Sequence, residues 1–334
     1  MSFVSRQFHL VDRPKGLPQA GSIRLVERPL DTPGDGQLLV RNEWLSVDPY
    51  MRGRMVDRKS YIPPFELNQP MEGAAVGLVI ESGDDRFSPG DRVSHFSGWR
   101  DLALIDVNSA NRIGAVAPPQ AYLGVLGFPG LAAYGGLLRI GNPQPGETVF
   151  VSAAAGAVGS LVAQIAKIKG CRVIGSSGSD EKLRWLRDEA GVDATLNYKR
   201  EPDLTAALRE AAPDSIDVYF DNVGGEHLEA AIAVANDFAR FTLCGMIDQY
   251  NSAPTGPRNI YSVIEKSIRL EGMISTNLLD MWEDFQRDVG QWIAEGKIKW
   301  QETIVEGLEN TPTAFLDLFA GRNSGKMLVK LISH

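Results

Sequence analysis

The sequence predicts an α/β protein in two parts, a doubly wound parallel sheet and a β-rich domain, on three observations. The chain has 334 residues, and at roughly 150 residues per domain that length predicts about two domains. From residue 148 onward, compact apolar runs alternate with segments of helical periodicity, the pattern of a parallel sheet with helices on both faces. Before residue 124 the apolar runs are strand-like, closely spaced and separated by turn signals, which suggests an antiparallel or barrel-like β domain.

The elements follow in order. QLLVRNEWLSV (37–47), AAVGLVIES (74–82), DRVSHF (91–96) and WRDLALI (99–105) are rich in Val, Leu and Ile. Pro-Gly-Asp and Asp-Gly signals at 33–36 and the Ser88-Pro89-Gly90-Asp91 turn punctuate them. The Gly- and Pro-rich stretch 124–147 reads as a helical connection ending in a loop. TVFVSAA (148–154) is then an apolar strand, and Val158, Leu161, Val162, Ile165 and Ile168 mark the helix after it. RVIGSS (172–177), a charged helix from Asp180, ATLNY (194–198), a helix near 203–212, IDVYFDN (216–222), HLEAAIAVA (227–235), RFTLCG (240–245) and SIRLEGMIS (267–275) continue the alternation. After a helix at about 278–295 come ETIVEG (302–307), a short helix and GKMLVKLI (325–332). This last strand is expected to rejoin the β-rich domain and so make it discontinuous.

Composition excludes several classes of function. Lys plus Arg number 34 and Asp plus Glu 42, a net charge of −8, which disfavours a protein that grips nucleic-acid phosphates. Hydrophobic residues at 43% and charged residues at 23% are globular values, so disorder is excluded. No apolar run approaches the roughly 18 residues of a membrane span, and residues 1–16 lack a signal-peptide core. The expectation is therefore no membrane association. Two cysteines, Cys171 and Cys244, exclude a disulfide framework and fit a reducing cytoplasm. Four scattered histidines, His9, His95, His227 and His334, leave too few ligands for a typical zinc site, so no metal is expected.

Between the first strand of the alternating half and its helix lies Ala153-Ala154-Ala155-Gly156-Ala157-Val158-Gly159. Laid on G-x-G-x-x-G, Gly156 and Gly159 take the second and third glycine positions and Ala154 the first. Small residues there let the backbone meet a pyrophosphate and let the helix pack close to the strand. The helix N-terminus then offers free N–H groups to the anion. The next strand ends Gly175-Ser176-Ser177-Gly178, without the acid that binds an adenosine ribose in NAD-selective folds. With Lys182 and Arg184 just beyond, that neutral end suits a 2′-phosphate, so NADP is favoured over NAD. Asp180 and Glu181 at the same helix start read as ordinary helix-terminal acids, and Lys182 reads equally well as a solvated helix charge.

No cysteine precedes residue 171, so the first domain lacks the Cys and His set of a catalytic zinc under a nicotinamide. Reduction of a plain ketone is then less favoured than hydride transfer to an acceptor activated by conjugation. Hydroxyl donors meet the charge developing on its oxygen, and a tyrosine supplies a hydrogen bond or a proton.

LSVDPYMRGRM (45–55), GVLGFPGLAAYGGLL (124–138), the glycine loop through Lys182, NYK (197–199), DVYFDNVGG (217–225), CGMIDQYN (244–251), EGLENTPTAF (306–315) and GRNSGKMLVK (321–330) carry a resemblance. The chain resembles the zinc-independent medium-chain dehydrogenase/reductases, in the branch of prostaglandin reductase, alkenal double-bond reductases and bacterial curcumin reductase. The matches span nearly the whole chain; DPYMRGRM and FDNVGG…CG…YN are specific to the branch, while the glycine loop alone is not. The resemblance implies a Rossmann-type NADP-binding domain at 126–299 and a β-rich GroES-like catalytic domain at 1–125 and 300–334. It implies NADPH-dependent reduction of the carbon–carbon double bond of a small enone or enal substrate, and a homodimer.

The resemblance also implies roles for residues. Gly156, Ala157, Val158 and Gly159 would hold the pyrophosphate, and Lys182 and Tyr198 the 2′-phosphate region. Asn222, the run Cys244, Gly245, Met246, Ile247 to Tyr250, the segment Met273, Ile274 and Ser275, and Asn323 would line the rest of the dinucleotide. Tyr250 and Tyr50 are the candidate catalytic hydroxyls; Tyr250 also reads as cofactor packing, and Tyr50 as a buried aromatic under a strand end. Arg52 and Arg54 read as structural. Alignment back from Met273 puts Glu265 where prostaglandin reductases carry a tyrosine, so Tyr261, four residues earlier, does not inherit that role. Two other readings fit parts of the pattern: a quinone reductase of the same superfamily, and an NADPH-binding protein without catalysis.

Overall fold

The computed structural model describes residues 3–253 and 255–331. His334 and the last residue of the expected 325–332 strand lie outside them. The described residues divide into two compact units. The β-rich unit comprises residues 3–123, 302–323 and 327–331; the parallel-sheet unit comprises 124–301 and 324–326.

The parallel-sheet unit has six strands, β1 (Thr148–Val151), β2 (Arg172–Ser177), β3 (Ala194–Asn197), β4 (Ile216–Asp221), β5 (Ala235–Leu243) and β6 (Arg269–Gly272). They run in the order β3-β2-β1-β4-β5-β6, every neighbouring pair parallel. The order reverses between β1 and β4, which in a doubly wound sheet is where a dinucleotide spans the strand ends. All four residues of β1 are buried, as expected of a strand covered on both faces. Register aligns Phe150 with Tyr219 and Tyr219 with Phe241. Phe150 and Tyr219 stack with ring centroids 5.1 Å apart, and Tyr219 meets Phe241 edge-on at 5.2 Å. This row of rings fixes β4, and with it the loop at the end of β4. Of the helix Gly159–Ile168, every residue from Gly159 to Ala166 is buried.

The β-rich unit is antiparallel. Phe3–Leu10 pairs with Ile23–Leu30 along its full length, a hairpin the sequence reading did not include. Gln37–Ser46 pairs with both Ala75–Ser82 and Leu102–Asp106, and Trp44–Ser46 pairs with Leu328–Lys330 near the chain's other end. Trp99, fully buried, anchors the core edge-on to Phe8 at 6.0 Å and to Phe315 at 5.8 Å. Its φ of 58° is unusual for so large a side chain, and the surrounding rings hold it there.

Candidate functional site

Because the six strands are parallel, their carboxyl ends share one edge, and most of the residues singled out by sequence fall there. Gly156–Gly159 follow β1, Lys182 lies in the helix after β2, and Tyr198 follows β3. Asn222 follows β4, the run from Cys244 to Tyr250 follows β5, and Met273–Ser275 follow β6. Asn323 directly precedes the 324–326 segment and is grouped with the β-rich unit, as is Tyr50.

The loop after β1 is shaped for an anion. Ala153 adopts φ 47°, and Gly156 N–H donates back to its carbonyl at 2.9 Å. A Cβ on Gly159 would fall 2.4 Å from Ala153 O and 2.9 Å from Ala154 Cα, so only glycine lets the helix sit this close to the strand. Ala154 occupies a position that usually needs glycine, and Gly175 makes the room: a Cβ there would lie 2.9 Å from the Ala154 methyl. No side chain caps the helix at Val158. Among the described residues the Val158 N–H has no main-chain partner, so the helix start keeps a donor for a ligand. Gly325 closes the loop from the far end of the sequence, bridging Gly156 and donating to Ala155 O at 2.8 Å. These small residues and open donors fit the pyrophosphate of a dinucleotide.

At the end of β2 a second feature appears. A Cβ on Gly178 would lie 2.8 Å from Lys199 Cε and 2.9 Å from the Tyr198 hydroxyl, so both side chains close over that glycine. Lys182 is partly buried and its ammonium is pushed down by burial and by the nearby Lys199. Two cations and a phenol therefore gather at a strand end that has no acid. Asp180, at the start of the same helix, accepts from Asn197 at 2.6 Å and pairs with Arg200 at 2.6 Å, while Glu181 acts on Lys182 and Asp248 on Tyr198. Lys199 was absent from the residues chosen by sequence, although it directly follows Tyr198; its signal is only being the second lysine brought to that corner by the turn after β3.

The ends of β4 and β5 are laced together. Asp221, fully buried, accepts at Oδ1 from Tyr219 Oη at 2.7 Å, Ser152 Oγ at 3.1 Å, Val223 N–H at 2.9 Å and Gly224 N–H at 2.8 Å. Its main-chain carbonyl accepts from Cys244 at 2.9 Å and Gly245 at 3.1 Å. Asn222 donates through its main-chain N–H to Ser152 Oγ and through its side-chain amide to Ser152 O, both at 2.8 Å. A Cβ on Gly245 would stand 3.3 Å from the Tyr250 hydroxyl, which places that hydroxyl over the Cys244–Gly245 turn. The Cys244 thiol is pushed up to about 12 by burial and by the charge of Asp221. That of Cys171, on the strand side of the same unit, is pushed up to about 11, chiefly by burial.

In the β-rich unit Tyr50 packs against the apolar core, and its buried hydroxyl has no hydrogen-bond partner among the described residues. Burial, and secondarily Asp48, raises its pKa well above the ordinary phenol value. Arg52 donates to the carbonyls of Pro14 and Gly16. Arg54 donates to Pro63 O, pairs with Glu72 at 2.7 Å and lies over the Phe65 ring. His95 is held at both ring nitrogens, by Asn42 Oδ1 at 2.9 Å and by the Ser97 N–H at 3.1 Å. Burial pushes it down to about 3. Tyr261 opens the short helix Tyr261–Glu265 and is 67% exposed. Among the described residues no three His, Cys, Asp or Glu side chains gather as metal ligands.

A family model described as the N-terminal domain of oxidoreductase matches residues 6–113, and one described as zinc-binding dehydrogenase matches residues 157–295. The chain is 41% identical to NADPH-dependent curcumin reductase of Escherichia coli, over 98% of this chain and 97% of that protein. It is 43% identical to the NADP⁺-dependent 2-alkenal reductase of Nicotiana tabacum, over 89% of this chain and 88% of that one. The crystal structure of CurA from Vibrio vulnificus in complex with NADPH superposes with a TM-score of 0.93 at 40% identity, covering 98% and 100% of the two chains. The chain belongs to the zinc-independent medium-chain dehydrogenase/reductases, in the branch of curcumin, alkenal and prostaglandin reductases.

Proposed function

We propose that this chain is an NADPH-dependent reductase that saturates the carbon–carbon double bond of α,β-unsaturated ketones and aldehydes. The observation that carries the reading is the 41% identity with a curcumin reductase along nearly the whole of both chains. Gly156–Gly159 hold the pyrophosphate, and Lys182, Tyr198 and Lys199 hold the 2′-phosphate. Asn222, the run Cys244 to Ile247 with Tyr250, Met273–Ser275 and Asn323 line the remainder. When bound, NADPH supplies hydride to the β-carbon of the substrate. Tyr250 donates a hydrogen bond to the carbonyl oxygen as negative charge develops there, and the α-carbon then takes a proton. Tyr50 is the second candidate donor, since a buried hydroxyl without a partner costs free energy unless a ligand satisfies it.

The enzyme works on this reading as a cytoplasmic homodimer. Among the described residues β6 pairs on one side only, and Phe238 and Ile264 are more than 70% exposed, which gives a second copy an edge and apolar side chains to cover. Light scattering that returned the mass of one chain at micromolar concentration would remove the dimer. The activity is tested by following NADPH oxidation with curcumin and 3-nonen-2-one and identifying the products. The saturated ketone is expected; recovery of the allylic alcohol with its double bond intact overturns the reading.

A further inference from the structure

The loop network after β4 holds a buried carboxyl group that no cation among the described residues pairs with. Asp221 is fully buried, forms no ion pair among the described residues, and has an Oδ2 without any partner. Two of the four donors on Oδ1 are main-chain N–H groups, which cannot reverse their polarity, so that oxygen must be an acceptor. A proton on Oδ2 would find no acceptor there. Burial is the largest influence and raises the pKa of Asp221 above the ordinary carboxyl value, while the four donors on Oδ1 favour the charged form. A protein core rarely keeps a carboxylate in such a place without a cationic partner.

Its position suggests the missing partner. A doubly wound sheet is built of two mononucleotide-binding halves, and the phosphate loop after β1 and the cationic corner after β2 and β3 assign the first half to the adenosine side. β4 opens the second half, so Asp221 lies beneath the nicotinamide side. The bound cofactor's ring passes from neutral to cationic as it gives up hydride. We infer that Asp221 biases this equilibrium: its buried, cation-free carboxylate stabilises the oxidised cofactor relative to the reduced one and so favours hydride donation. Ser152 and Tyr219 hold the carboxylate in place. The inference rests on the use of NADP(H) and not on the identity of the enone.

The test is therefore a binding measurement without substrate. The dissociation constants of NADPH and NADP⁺ are determined by fluorescence and calorimetric titration of the full chain and of Asp221→Asn, which keeps the shape and an acceptor but removes the charge. The ratio Kd(NADP⁺)/Kd(NADPH) is expected to rise about threefold or more, within the range of about twofold to fifteenfold that one unit charge acting over about 10 Å gives between water-like and protein-like dielectric. Ser152→Ala keeps the charge while removing one donor, and it should weaken both ligands together and leave the ratio within about twofold. Asp221→Ser provides a second neutral variant if Asp221→Asn does not fold. An unchanged ratio in a folded neutral variant overturns the inference even if enone turnover is lost; a raised ratio supports it whatever the substrate proves to be.

Discussion

The two halves of the parallel sheet prepare for the same ligand in opposite ways. After β1, β2 and β3 the chain leaves its groups open: an uncapped helix start, a Val158 N–H without a main-chain partner among the described residues, and a lysine and a tyrosine gathered over a glycine. After β4 and β5 it closes upon itself, with one carboxylate oxygen taking four hydrogen bonds and Ser152 taking two from Asn222. The open half offers donors for an anion to complete. The closed half is already wired and presents a shape and a field. On the proposed reading, the difference divides affinity from chemistry along the sheet: the first half would hold the cofactor by its phosphates, and the second would tune what the ring does.

The sharpest way to break this contrast is to close the open half. In Gly159→Ala the new methyl meets Ala153 O at 2.4 Å, and overpacking of this kind costs about 1–3 kcal/mol. A lower Tm and a loss of NADPH affinity of about a hundredfold or more are expected by calorimetry, because the displaced helix start no longer aims its donors. Binding within a few-fold of wild type would mean that the loop does not hold the pyrophosphate.

Removing cations should be nearly as severe and more selective. Lys182→Ala and Lys199→Ala are each expected to raise the KM for NADPH by about tenfold to a hundredfold, the worth of a charge-assisted hydrogen bond. The KM for NADH should scarcely change. Equal losses with both cofactors would show that these lysines support the fold and do not read the 2′-phosphate.

In the closed half Tyr250→Phe keeps the ring and removes the hydroxyl over the Cys244–Gly245 turn. A fall in kcat of about tenfold or more is expected with NADPH binding unchanged; a smaller fall assigns Tyr250 to packing. His227 joins the halves, its ring edge-on to Tyr198 at 5.0 Å, and burial pushes it down to about 4. A histidine lowered in the fold leaves the unfolded chain binding more protons between about pH 6.5 and pH 4. Stability is then full above that window and is lost as pH falls through it, by up to about 1.4 kcal/mol per unit. Thermal melts from pH 7.5 to 4.5 should show a smaller fall for His227→Phe than for the wild type; parallel curves would exclude the histidine. The smallest effect is expected outside the sheet. Tyr50→Phe removes a buried hydroxyl without a partner, so Tm should hold or rise slightly, within about 1 kcal/mol, while kcat falls if the hydroxyl meets substrate.

What the sequence made legible follows this same division. The phosphate loop, its strand and its helix could be read because backbone approach and helix packing demand small residues at fixed spacing. The row Phe150, Tyr219 and Phe241 and the fourfold acceptor at Asp221 could not be read, since register across parallel strands, rather than spacing along the chain, brings those groups together. Lys199 was passed over for a related reason: it is the fold of the turn after β3 that carries it to Gly178. The hairpin Phe3–Leu10 with Ile23–Leu30 escaped notice because its second strand exposes most of its side chains and contains Pro29, which weakens the alternation that marks a strand. The departure at Ala154 is explained only by the missing side chain of Gly175 on the neighbouring strand.

The two thiols acquire a meaning from the proposed substrates. Conjugated ketones and aldehydes are electrophiles that alkylate cysteine, and it is the thiolate that attacks. Burial, joined at Cys244 by the charge of Asp221, pushes both thiols up, so each stays a thiol at neutral pH. The carboxylate of Asp221, one cause of that rise, thus has a second effect beside the ring. On the proposed activity, the sulfur beside the proposed cofactor loop is held in the form that does not react with such alkenes, and the chain would be spared modification by what it consumes.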